Sequence, residues 1–144
     1  MTKEIFLGTW KLISSEFRSS NGQVAYPFGQ DAVGLLMYDA TGYMSVQLMR
    51  ADRPIFESGD ISKGTPAELK TAFEGLITYF GIYEINEQEG TITHQVINSS
   101  FPYFAGTSQT RFFQFSDNRL TLRTPPTAWG GKEITGVLIW ERVA

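Results

Sequence analysis

The 144-residue chain sets 12 Lys and Arg against 15 Asp and Glu, with one His and no Cys. A mildly acidic charge with scattered basic residues argues against a nucleic-acid surface, and the missing cysteine removes both thiolate chemistry and a disulfide framework. No apolar run approaches the roughly 18 residues of a membrane span, and 2–7 lack a signal-peptide core, so one non-secreted, cytoplasmic domain over 1–144 is expected, with no membrane contact.

Fourteen Gly and 11 Phe with 19% charged residues favour short strands, tight turns and an aromatic interior. Residues 2–7 read as a short helical or irregular piece closing the bottom. A first strand then runs from Gly8-Thr9-Trp10 to about residue 17, and plain alternation turns Leu12, Ser14 and Glu16 inward. Asp39-Ala40-Thr41-Gly42 is a hairpin turn with Gly in the left-handed position. If Asp39 pairs with Gly42, Met37 faces Met44, Leu35 faces Val46 and Val33 faces Leu48 on an apolar inner face. Tyr38, Tyr43, Ser45 and Gln47 then lie outside, and continuation past Leu48 brings Arg50 inward at the rim.

Thr65-Pro66-Ala67-Glu68 supplies an N-cap, a proline at N1 and a capping-box glutamate, so a helix follows and ends near Gly75, its stripe Leu69, Ala72, Phe73 and Leu76 against the outside or rim. A second hairpin turns at Glu87-Gln88-Glu89-Gly90, pairing Ile85 with Ile92, Tyr83 with His94 and Gly81 with Val96; Tyr79 shares that face. A third turns at Asp117-Asn118, pairing Phe115 with Leu120, Phe113 with Leu122 and Arg111 with Thr124. The last strand covers about 133–142. The expectation is an all-β, eight-stranded antiparallel up-and-down barrel with one short helix between the third and fourth strands. Its tight turns gather at one end and its long, aromatic connections, carrying Phe101, Tyr103 and Trp129, at the other.

Gly8-Thr9-Trp10 on the first strand, hairpin strand order and Arg142 at the end of the last strand resemble the lipocalins and the wider calycin superfamily. The stretches Pro27-Phe28-Gly29, Asp52-Arg53-Pro54, Gly90-Thr91-Ile92-Thr93-His94 and Trp140-Glu141-Arg142 are similar to single-domain lipocalin-like proteins. The resemblance implies a cavity for a small apolar molecule, with Gly8, Trp10 and Arg142 as a structural lock at the closed end. Some lipocalin-like barrels in natural-product pathways act as cyclases, so an isomerase or cyclase is the second expectation. A filled barrel whose outer Tyr38, Tyr43 and Phe112 make a homodimer or other protein interface is the third.

No metal or cofactor motif is present. The polar residues expected inside are Tyr83, His94 and Arg111, with Glu16 and Arg50. His94 is either a cavity histidine bonded to Tyr83 or a group that orients a ligand or moves a proton. An inward Arg111 is neutralised either by Glu16 or by a ligand carboxylate or enolate. Met37, Met44, Val46, Leu48, Tyr79 and Phe113 are the expected apolar wall. Phe28, Phe101, Tyr103, Phe104 and Trp129 form either a lid or ordinary rim packing against the helix.

Overall fold

The computed structural model describes residues 2–143. Among them, ten strands form one antiparallel sheet in the order β2-β1-β3-β4-β5-β6-β7-β8-β10-β9, and β1 also pairs with β10. They are β1 (Gly8–Ser19), β2 (Val24–Ala25), β3 (Val33–Tyr38), β4 (Tyr43–Met49), β5 (Leu76–Asn86), β6 (Thr91–Ser99), β7 (Ser108–Ser116), β8 (Arg119–Arg123), β9 (Thr127–Trp129) and β10 (Lys132–Arg142). The β1–β10 ladder closes eight long strands into a barrel and so removes both sheet edges. The short β2 and β9 extend β1 and β10 at the end with the long connections.

Two α-helices accompany the barrel, α1 (Thr2–Phe6) and α2 (Pro66–Glu74). In this strand count α2 lies between the fourth and fifth strands, not the third and fourth, because two-residue β2 precedes it with no alternating pattern to reveal it. The capping box forms: Thr65 Oγ1 accepts from the Glu68 amide at 3.2 Å, and Glu68 Oε1 accepts from the Thr65 amide at 2.8 Å. Yet α2 buries none of its residues, and Leu69 and Phe73 stay half-exposed. Arg53 holds its far end by donating to the Ala72 carbonyl at 3.2 Å.

The second and third hairpins pair Tyr83 with His94, Ile85 with Ile92, Phe113 with Leu122 and Phe115 with Leu120. The first differs by one residue. Gly42, at φ 102°, is a bulge residue that leaves Asp39 to pair with Tyr43, whose carbonyl accepts from the Asp39 amide at 2.9 Å. Tyr38 therefore faces Met44 and Leu36 faces Val46. Tyr38 and Leu36 are buried, whereas Met37, Leu35 and Val33 are exposed on the outer face, which takes Met37 out of the wall and Tyr38 out of any outer interface. In β1 a bulge between Leu12 and Ser14 reverses the faces: Ser15 is buried and Glu16 turns outward.

The closed end is filled. Phe6, from α1, is fully buried and meets Tyr38, Phe113 and Phe115 edge-on at ring separations of 5.3, 5.0 and 4.9 Å. Its carbonyl accepts from Trp10 Nε1 at 2.9 Å. The Arg142 guanidinium lies 4.3 Å from the centre of the Trp10 ring and donates to the carbonyls of Leu7, at 2.7 Å, and Ile5. Trp140, Leu120 and Ile92 complete this floor. Polar chemistry is left to the middle and the mouth.

Candidate functional site

In the middle of the barrel β3, β5 and β6 bring three ring side chains into one hydrogen-bonded chain. His94 is 2% exposed, with Nε2 2.7 Å from the Tyr38 hydroxyl and Nδ1 2.6 Å from the Tyr79 hydroxyl. Burial, reinforced by the nearby Arg111 cation, pushes the histidine down from its usual 6.5 to about 3. Burial likewise pushes both tyrosines up. At neutral pH all three groups are uncharged. With both ring nitrogens engaged, His94 orders hydrogen bonds and is a poor base for a substrate proton.

Arg111 stands on β7 with Phe113 and Phe115 on the inner face, opposite Ile92. Its Nη1 donates to the Thr110 carbonyl at 3.0 Å and its Nη2 to Gln109 Oε1 at 3.5 Å. Gln109 Nε2 donates in turn to Thr107 Oγ1 at 2.9 Å, and that hydroxyl to the Phe104 carbonyl at 2.7 Å. A polar arm thus climbs from Arg111 to the mouth. Among the described residues no carboxylate lies within ion-pair distance of Arg111. Thr124, one step beyond the Phe112–Arg123 pair, continues the inner face beside Arg111 and accepts from the Gly136 amide at 2.8 Å. Beyond Gly136 a rim groove of about 460 Å³ is lined by Phe17, Tyr26, Trp129 and Ile134, among others.

The lipocalin-like domain, as a family model, matches residues 7–143. The chain belongs to the lipocalin-like domain family. A 4'-hydroxy-3'-methoxypropiophenone carrier protein of Aspergillus oryzae is 30% identical over 107 residues, covering 69% of this chain and 96% of that protein. A lipocalin-like protein of Bacteroides uniformis, known as a crystal structure, is 14% identical with a TM-score of 0.47, covering 96% of this chain and 98% of that one.

Within this lipocalin-like barrel the residues singled out from the sequence part company. Tyr79, His94, Arg111, Phe113, Met44, Val46 and Leu48 point inward. Tyr83 is buried but its hydroxyl donates to the Asp39 carbonyl at 2.7 Å, not to His94, because His94 is already held by Tyr38 and Tyr79. Glu16 is bonded to Arg18 at 2.5 Å on the outer face, so it does not neutralise Arg111. Arg50 reaches the rim and is taken up by both oxygens of Asp52, at 2.9 and 3.2 Å. Met37 is outside. At the mouth Phe101 packs on Phe104 at 5.1 Å, Tyr103 is 76% exposed, and Trp129 lies edge-on to Phe17 at 4.8 Å. Sequence reasoning misses Tyr38, Gln109 and Thr107. The side chain of Asp39 accepts from the amides of Thr41 and Tyr43, and that Asx pattern was the cue that Asp39 pairs past Gly42 and turns Tyr38 inward.

Proposed function

We propose that this protein binds a small, largely apolar molecule with a carbonyl or anionic end. The apolar body occupies the rim groove and the upper barrel, between Phe17, Trp129 and the wall residues Leu48 and Tyr79. Arg111 takes the oxygen-bearing end. The open rim groove, about 460 Å³, supports only the apolar end of this reading, since Arg111, Leu48 and Tyr79 are not on its lining and are reached past Gly136 and Thr124. The carrier relative supports the reading, since the molecule in its name is an aryl ketone.

The observation that carries this proposal is Arg111: an inner-face guanidinium whose acceptors are one backbone carbonyl and one amide oxygen. Glu16, the partner expected from the sequence, is spent on Arg18. Arg111 is only partly buried, so water can serve its remaining donors, and a ligand carbonyl or carboxylate oxygen would replace that water with a charge-assisted hydrogen bond. The neutral, doubly bonded His94 favours binding over the cyclase reading, because it lacks a free lone pair near neutral pH.

Titration of 4'-hydroxy-3'-methoxypropiophenone, followed by calorimetry, tests the proposal. Saturable binding is expected, weakened about tenfold or more in Arg111→Gln, the loss of one hydrogen bond to a charged group. Equal affinity in the variant removes the role of Arg111; no saturable binding of aryl ketones or aryl carboxylates to the native protein removes the function.

A further inference from the structure

A neutral imidazole has one N–H donor and one lone-pair acceptor. Tyr38 and Tyr79 each bring one donor proton to His94, so the three groups hold three protons but make only two hydrogen bonds. One tyrosine must donate to the ring and the other must accept from it. The accepting tyrosine keeps its own O–H proton for something else. The side on which that proton is left decides what the barrel can recognise.

The surroundings of the two hydroxyls differ. Tyr38 lies at the turn end of β3, 2% exposed, its ring against Phe6 at 5.3 Å and Tyr83 at 4.9 Å. The Tyr83 hydroxyl donates to Asp39 and makes no hydrogen bond with Tyr38, whose one partner among the described residues is His94. If Tyr38 accepted from His94, its own proton would be stranded among aromatic rings, at the full cost of an unsatisfied buried donor. Tyr79 lies near the start of β5, at the mouth end, 8% exposed, with Phe104 of the mouth loop 6.3 Å from its ring. Arg111, the charged neighbour of the chain, has donors only and cannot take a proton from either hydroxyl.

We infer that the chain is polarised from floor to mouth, with Tyr38 donating to Nε2, Nδ1–H donating to Tyr79, and the Tyr79 O–H left over as the donor for a carbonyl oxygen of the ligand. This rests on the binding reading above and adds a second contact to it. Tyr38 and His94 are positioning residues here: they touch no ligand, but they keep the Tyr79 proton from being spent on the ring. The site then selects a neutral carbonyl, as in an aryl ketone, over a hydrocarbon of the same shape. The depressed basicity of His94 is consistent with this, since a protonated ring would donate from both nitrogens and free both hydroxyl protons.

The lone histidine makes the polarity measurable without any ligand. Nitrogen-15 NMR of the ligand-free protein labelled at histidine is expected to show the proton on Nδ1 and a bare Nε2. In Tyr38→Phe the proton is expected to move to Nε2, because Nδ1 then accepts from Tyr79. A native Nε2–H tautomer, or an unchanged tautomer in Tyr38→Phe, overturns the inference.

The ligand half uses two probes, 4'-hydroxy-3'-methoxypropiophenone and 2-methoxy-4-propylphenol, in which a methylene replaces the carbonyl. Tyr79→Phe and Tyr38→Phe are each expected to bind the ketone about tenfold more weakly and the propylphenol nearly as the native protein does. Unchanged ketone affinity in Tyr79→Phe, or equal losses for both probes, overturns the donor role. If neither probe binds the native protein, the binding reading fails and the ligand role of Tyr79 with it, while the NMR result still decides the polarity of the chain.

Discussion

Among the described residues His94 is the side chain whose shifted titration separates the folded from the unfolded protein between the carboxylate range and the tyrosine range. The unfolded chain takes up its proton near 6.5, whereas the folded protein resists until about 3. Between those values the unfolded state binds more protons, so stability is complete above pH 6.5 and falls as the pH is lowered toward 3. The slope is at most about 1.4 kcal/mol per pH unit. Urea unfolding at pH 7, 6 and 5 is expected to show this decline, and His94→Gln should flatten it. The same slope in both proteins would mean that the folded histidine is not held neutral. Arg111 contributes to that neutrality at a distance, a second physical consequence of leaving it without a carboxylate.

At the scale of elements, α2 is attached to the barrel without being part of its core. It buries none of its residues and is held by its capping box and by Arg53 at the Ala72 carbonyl. Thr65→Ala should therefore cost about 1 kcal/mol locally. Amide exchange in Pro66–Glu74 is expected to rise about fivefold with barrel amides unchanged. A matching loss across the barrel amides would show that α2 unfolds with the core. The cap was legible because Thr, Pro and Glu at that spacing act through local backbone chemistry. Hairpin registers were legible where the turn adds no residue, as at Glu87–Gly90 and Asp117–Asn118, and these place His94, Arg111 and Phe113 inside. Alternation fails wherever a strand gains one residue. Gly42 hid Tyr38 in this way and the bulge before Ser14 misplaced Glu16, so the Tyr38 bond to His94 and the fate of Arg111 stayed out of reach, and the Tyr79 bond was missed in favour of Tyr83. Gln109 and Thr107 carry no pattern of their own; they matter only through the arm they form with Arg111.

For the molecule as a whole, the decisive contacts join the two ends of the chain. Arg142 donates to carbonyls of α1 and its neighbouring residue while covering Trp10. Two charge-assisted hydrogen bonds and a cation–π contact predict a loss of about 2–4 kcal/mol in Arg142→Ala, read as a lower urea midpoint. A change below about 0.5 kcal/mol would show that closure rests on the strand ladder alone. The floor is filled with buried aromatic side chains, the mouth carries the long loops, and the Tyr38–His94–Tyr79 chain runs between them.

The β1–β10 ladder has a consequence for how the protein is made. Trp10 waits for Arg142, and the Arg142–Leu7 bond spans 135 residues of sequence. Until β10 is released, β1 lacks the strand it pairs with from Trp10 to Ser19. Such an unpaired edge is a template for pairing with other chains. A chain cut after β8 should therefore aggregate more readily than one that includes β10 (Lys132–Arg142), as light scattering of the two would read.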